Sequence, residues 1–156
     1  MKKLTPFLLA LTLWCVSCGK TPTNEWSRFY AYTMDDVVGH YEANPDESLY
    51  EELPTQGVAV YDNVVIDIVS LSETLVSLHI VIPDKINKTY SGTLDTTDAH
   101  RTDIILHGFN EDFMATVYTN SQNQVRLHGR VKQYYYDANG VLVNSNNYGF
   151  DVIKSE

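Results

Sequence analysis

Cysteine is almost absent from this sequence. The 156 residues contain two cysteines, Cys15 and Cys18, and both lie within the first 18 positions. The chain after Cys18 therefore has no thiol that could form a disulfide, act as a nucleophile or hold zinc. The fold must then be stabilised by a hydrophobic core, and residues 18–156 are long enough to build one as a single domain.

Long apolar segments are also lacking. Lys2 and Lys3 precede a mostly apolar stretch over residues 4–13, which is too short to span a bilayer. A positive start followed by a short apolar run is typical of a secretory signal peptide. We predict that residues 1–17 form such a peptide and that the protein is exported.

Positive charge is scarce. Eleven Lys and Arg residues stand against 20 Asp and Glu residues, which gives a net charge of −9. An acidic surface of this kind repels nucleic acid and the anionic face of a membrane. We therefore expect no nucleic-acid partner.

Motifs for catalysis and for cofactors are missing as well. The sequence has no P-loop, no dinucleotide fingerprint and no G-x-S-x-G element. The histidines lack the spacing of a metal site, although several fall in predicted strands and could converge inside a barrel; surface positions are favoured. They are His40, His79, His100, His107 and His128. We expect no catalytic residue, no metal and no cofactor, and thus a binding protein more than an enzyme.

What the sequence does contain is alternation of apolar and polar residues through most of residues 57–153, as in half-buried strands. Turn-forming residues punctuate the alternation closely enough for hairpins, and no long helical period intervenes. The pattern predicts an all-β fold, an eight-stranded antiparallel up-and-down barrel, with a two-sheet β-sandwich as the alternative. The predicted strands are 38–43, 57–70, 75–82, 89–95, 103–109, 112–119, 124–136 and 141–153.

A short helix is predicted before the first of these strands. Thr33 can cap its first turn, Asp35 and Asp36 suit the positive end of its dipole, and Gly39 would end it. We accordingly divide the chain into a signal peptide at residues 1–17, a cysteine and tether at 18–32, and one β-domain at 33–156.

Three further segments are candidates for binding. Residues 44–54 form the one substantial early connection and could act as a lid over a barrel mouth. Tyrosines 134–136 and the Asn-rich stretch at 144–148 should face each other across the last hairpin, as in sites that hold sugars or peptides. A basic row on one strand could meet an anionic ligand, but we expect it to neutralise acidic neighbours. The row consists of Arg126, His128, Arg130 and Lys132.

The residues Ser17-Cys18-Gly19, after the apolar run, resemble the lipobox of bacterial lipoproteins. The resemblance implies that Cys18 is acylated after cleavage and anchors the protein in a membrane. We expect the outer membrane, and both a periplasmic and a cell-surface orientation stay open.

The sequence Gly39-His40-Tyr41, directly after the short helix at 33–38 and followed by a long loop and seven more strands, resembles the lipocalin and calycin barrels. The closest likeness is to the lipocalin-like lipoproteins of Gram-negative gut anaerobes. The resemblance implies a barrel that binds a small, largely apolar molecule, with candidate contacts at Tyr41, Leu49, Tyr50 and Leu53. The alternatives are an accessory glycan- or protein-binding lipoprotein and a structural lipoprotein with a filled core.

Overall fold

The computed structural model describes residues 25–43, 59–94 and 98–155. Cys18 and the predicted lid at 44–54, with Leu49, Tyr50 and Leu53, lie outside these residues. The described part contains one short helix and ten strands, which confirms the all-β prediction. The helix, α1, spans Met34–Val37, and the strands are β1 Ser27–Arg28, β2 Gly39–Ala43, β3 Ala59–Tyr61, β4 Val65–Ser70, β5 Leu75–Ile82, β6 Ile86–Thr93, β7 Asp103–Gly108, β8 Glu111–Thr119, β9 Val125–Tyr136 and β10 Leu142–Lys154.

The helix α1 begins and ends where its capping residues predict. The Thr33 hydroxyl accepts a hydrogen bond from the Asp36 amide at 3.4 Å, and the Asp36 carboxylate accepts one from the Thr33 amide at 2.6 Å. This reciprocal pair is a capping box. The chain turns extended at Val38, and Gly39 adopts a positive φ of 149°. Within the described ranges, no helix is long and apolar enough to cross a membrane, since α1 has only four residues.

The strands form one largely antiparallel sheet in the order β1-β8-β9-β10-β2-β4-β5-β6, with β7 also on β8. Hairpins join β4 to β5, β5 to β6, β7 to β8, β8 to β9 and β9 to β10, all but the β5–β6 hairpin at predicted turns. The last strand, β10, returns to pair with β2. The sheet is not closed, since no ladder joins β6 to β7 in the described part of the chain.

The predicted strand at 57–70 is in fact two strands. β3 runs parallel to β10, whereas β4 pairs antiparallel with β2 and β5. Asp62 and Asn63 lie between them, and both residue types favour turns over ladder positions. A second addition is β1, because Ser27 and Arg28 pair with Tyr118 and Thr119 although they fall in the range predicted as tether.

One face of the sheet carries the hydrophobic core. Alternate residues along each strand are buried there, as the period of two predicts, and Leu78, Ile80, Leu127 and Phe150 have no exposed surface. The rings of Phe113 and Phe150 stack with their centroids 5.3 Å apart. We call this face the inner face and the opposite one the outer face.

Candidate functional site

The inner face changes from apolar to polar at the end of the sheet where β8 begins. Glu111 pairs with Gln133, and Gln133 pairs with Asn146, so the three side chains lie side by side on β8, β9 and β10. Two residues further along each strand, the next set of inward-facing neighbours is Phe113, Val131 and Tyr148, which belong to the core or pack on it. We call the polar region at this edge of the core the polar end.

A continuous hydrogen-bond network spans the polar end. Gln133 Nε2 donates to Glu111 Oε2 at 3.2 Å, and the Tyr135 hydroxyl donates to Gln133 Oε1 at 3.1 Å. Asn146 Nδ2 then donates to the hydroxyl oxygens of Tyr135 and Tyr148, at 3.2 and 3.3 Å. The network holds these side chains of β8, β9 and β10 in one defined arrangement before any ligand arrives.

Lys88 on β6 reaches the same region from the other edge of the sheet. Its Nζ lies 3.5 Å from Glu111 Oε1, and Glu111 is only 8% exposed. Because the lysine is half exposed, the pair contributes little to stability. The pair matters for recognition because the positive charge of Lys88 balances the negative charge of the buried Glu111 carboxylate.

Tyr90 on β6 supplies a buried hydroxyl that finds no hydrogen-bond partner among the residues that the structure describes. Tyr90 is 2% exposed, and its ring lies close to Gly108 and Glu111, since a Cβ at Gly108 would be 3.1 Å from Tyr90 Cε1 and 3.0 Å from Glu111 Cγ. Burial, with the neighbouring Glu111 and Asp112 carboxylates, raises the pKa of the Tyr90 phenol, so the hydroxyl stays a donor. Leaving such a donor unsatisfied costs about 1–3 kcal/mol.

Aromatic rings border the polar end. The Tyr90 ring lies 6.0 Å from that of Phe113, and the Tyr61 ring lies 6.0 Å from that of Tyr148. Tyr135 is 42% exposed, so part of its ring stays open to solvent. The region thus combines fixed polar groups with apolar ring surfaces, which is the usual make-up of a small-molecule site.

A second cluster of polar residues lies on the outer face. Arg126 Nε donates to Asp151 Oδ1 at 2.7 Å, and Arg126 Nη2 donates to Oδ2 of the same carboxylate. His128 Nδ1 lies 3.1 Å from Asp151 Oδ2, and all three residues are buried. Although burial alone would raise the pKa of Asp151, the hydrogen bonds from His128 and Arg126 bring it below its ordinary value.

Aromatic side chains cover this outer cluster. The Arg126 guanidinium lies 5.6 Å from the Trp26 ring centroid and 5.4 Å from that of Tyr118. The cluster therefore joins β9, β10 and the segment that precedes β1. As predicted for the basic row, Arg126 and His128 face an acidic neighbour, Asp151.

Tyr41, His40 and His107, which the sequence also singled out, are not part of the hydrogen-bond network described for the polar end. Tyr41 is fully buried in the core, and its hydroxyl donates to the Val37 carbonyl at 2.7 Å. His40 lies 2.6 Å from Asp67 and His107 lies 2.7 Å from Asp112, both on the surface. Among the residues that the structure describes, no group of three His, Cys, Asp or Glu side chains could hold a metal ion.

Sequence reasoning missed Lys88, Tyr90, Glu111 and Gln133. Glu111 stands next to Asp112 directly after a turn, where acidic residues are usually exposed. It is nevertheless two residues from Phe113 on the same strand, so both side chains point to the inner face. Tyr90 stands in a strand whose neighbouring residues are mostly polar, so its apolar alternation is weak. Phe109, 92% exposed in the β7–β8 turn at the same end, carries no sequence signal for a site.

Comparison of the chain with protein-family models, with curated proteins and with solved structures finds no match.

Proposed function

We propose that this protein is a lipid-anchored, extracytoplasmic binding module that takes up a small molecule at the polar end of a lipocalin-like barrel. The observation that carries the proposal is the buried hydroxyl of Tyr90, which has no partner in the described part of the chain and whose ring lies near Glu111. Glu111 in turn is linked by hydrogen bonds through Gln133 and Tyr135 to Asn146. A pre-arranged polar group without a partner, next to apolar rings, favours a bound ligand over a core that is merely filled.

Contacts between the two free edges support a barrel over two separate sheets. Lys88 on β6 pairs with Glu111 at the start of β8, next to the β7–β8 turn. Leu106 on β7 lies against Gly92 on β6, since a Cβ at Gly92 would be 2.7 Å from its side chain. Side chains thus bridge the β6–β7 seam where ladder hydrogen bonds are absent.

The position of β1 supports access to the polar end from outside. Ser27 pairs with Thr119, at the end of β8 opposite Glu111. At about 3.3 Å per residue along the strand, the two ends of β8 are roughly 26 Å apart. If Cys18 carries a lipid, the polar end lies on the side of the domain away from the point where the tether joins it, and faces away from the membrane.

The polar groups argue against the wholly apolar ligand that the family resemblance implies. A hydrocarbon over Glu111 and Tyr90 would bury polar atoms without new partners, at a cost of about 1–3 kcal/mol for each group. A ligand with an apolar face and a polar edge would meet both the rings and the network. We therefore favour a small amphipathic molecule.

Native mass spectrometry of the full chain, extracted from its own membrane, tests the proposal. We expect a bound small molecule that is lost or reduced in Glu111→Gln and retained in Asp112→Asn. The two positions are adjacent in the strand, but Asp112 points to the outer face, where it contacts His107 and Tyr134. Equal loading of both variants, or no bound mass in the parent protein, would contradict the proposal and favour a structural lipoprotein.

A further inference from the structure

We infer that the polar end recognises a hydroxyl group of a neutral carbohydrate, an inference that rests on the proposed function and specifies its ligand. The ligand hydroxyl would accept a hydrogen bond from Tyr90 and donate one to Glu111. Three features support this inference: the unused hydrogen-bonding capacity of these two side chains, the local charge and the rings beside them.

Tyr90 and Glu111 can each form a hydrogen bond with the same ligand oxygen, Tyr90 as the donor and Glu111 as the acceptor. Within residues 25–43, 59–94 and 98–155, the Tyr90 hydroxyl is a donor that has no acceptor. The Glu111 carboxylate receives one hydrogen bond, from Gln133, and one longer ion pair, from Lys88, although a carboxylate has about four acceptor positions. A hydroxyl group both accepts and donates through a single oxygen, so it satisfies the two residues at once.

The charge of the site selects a neutral ligand. Glu111 is balanced by Lys88, so neither a cation nor an anion finds an unpaired opposite charge there. An anion would also meet the field of a chain whose net charge is −9. Polyols and sugars have hydroxyl groups and no charge, so they can bind without disturbing the ion pair of Glu111 and Lys88.

The rings select a sugar over a small open-chain alcohol. Tyr135 and Tyr148 are held in place through Asn146, and the ring of Tyr61 lies beside that of Tyr148. Tyrosine rings of fixed orientation can stack on the C–H face of a pyranose at little entropic cost. Their hydroxyl groups contact Asn146, and the ring of Tyr135, which is 42% exposed, is open to a ligand.

Isothermal titration calorimetry of the full chain with maltohexaose, cellohexaose, mannohexaose and xylohexaose tests the inference. Trigalacturonate serves as the anionic probe and N-phenyl-1-naphthylamine as the neutral apolar probe. We expect at least one neutral oligosaccharide to bind, with weaker or no binding of the other two probes. Tyr90→Phe should weaken sugar binding about tenfold, the equivalent of one lost hydrogen bond, without lowering the melting temperature.

Tyr134→Phe is the matched control. It removes the same atom from a tyrosine on the outer face, whose hydroxyl donates to Asp112 at 2.6 Å, and it should leave sugar affinity unchanged. Binding of the apolar probe alone would overturn the carbohydrate inference and leave the proposed function standing, and absence of all binding would overturn both. Sugar binding that Tyr90→Phe and Tyr134→Phe affect equally would also overturn the inference.

Discussion

The Arg126 guanidinium and the Asp151 carboxylate form a two-point ion pair buried on the outer face of the sheet. The pair crosses from β9 to β10, and the Trp26 ring lies over it. The pair therefore links the last hairpin to the segment around Trp26 that precedes β1.

Arg126→Met should destabilise the protein by about 3–5 kcal/mol, since it leaves the Asp151 carboxylate buried without its main partner. Arg130→Met is the control, because Arg130 belongs to the same row of β9 but is only half-buried. Urea denaturation of both variants measures the effect. Equal stability of the two would show that the buried pair contributes nothing beyond the rest of the row.

The same pair predicts how stability depends on acid. The folded-state pKa of Asp151 is lowered, so its contribution is fully present above the ordinary carboxyl pKa and is lost as pH falls through the folded value. We expect the melting temperature of the parent protein to fall below about pH 4. Arg126→Met should flatten that dependence, and an unchanged slope would argue against the role of Asp151.

Gly129→Ala should destabilise the fold strongly, because a Cβ at this position would lie 2.0 Å from the Met114 carbonyl oxygen on the neighbouring strand. Backbone, and not a flexible side chain, would have to move, and overpacking of this kind costs about 1–3 kcal/mol or more. Gly140→Ala tests the opposite case, since nothing lies within 4 Å of its added Cβ but its φ is +76°. Chemical denaturation should find Gly129→Ala the more damaging of the two.

Cys18→Ala should release the protein from the membrane fraction or leave it unprocessed, since the lipobox-like residues 17–19 then lack the acylated atom. Fractionation of cells and the mass of the mature chain measure the outcome. Ser17→Ala is the control, because a small residue before the cysteine is kept. A processed Cys18→Ala protein that stays membrane-bound would contradict the lipid anchor.

Much of the fold follows from local patterns. The capping box of Thr33 and Asp36, the turn residues and the alternation around Leu78 and Leu127 each act over a few residues. Most strands form where these patterns predict; β1 and the division of residues 57–70 into β3 and β4 are the exceptions. The parallel pairing of β3 with β10 is a contact between distant parts of the chain, and no local pattern specifies it.

The site was harder to predict because it depends on register between strands. Tyr41 was expected near a ligand, but its hydroxyl is satisfied by Val37 inside the core. Glu111, Gln133 and Asn146 come together only because β8, β9 and β10 pair as they do. The pairing of Tyr135 with Asn144 across the last hairpin, by contrast, was visible from the turn at residues 137–140.

The most direct measurement is a crystal structure of the protein purified from its own host. We expect non-protein electron density at the polar end, within hydrogen-bonding distance of the Tyr90 hydroxyl and the Glu111 carboxylate. A polar end without such density, in which the Tyr90 hydroxyl stays unpartnered or meets only water, would contradict the claim that this region binds a small molecule.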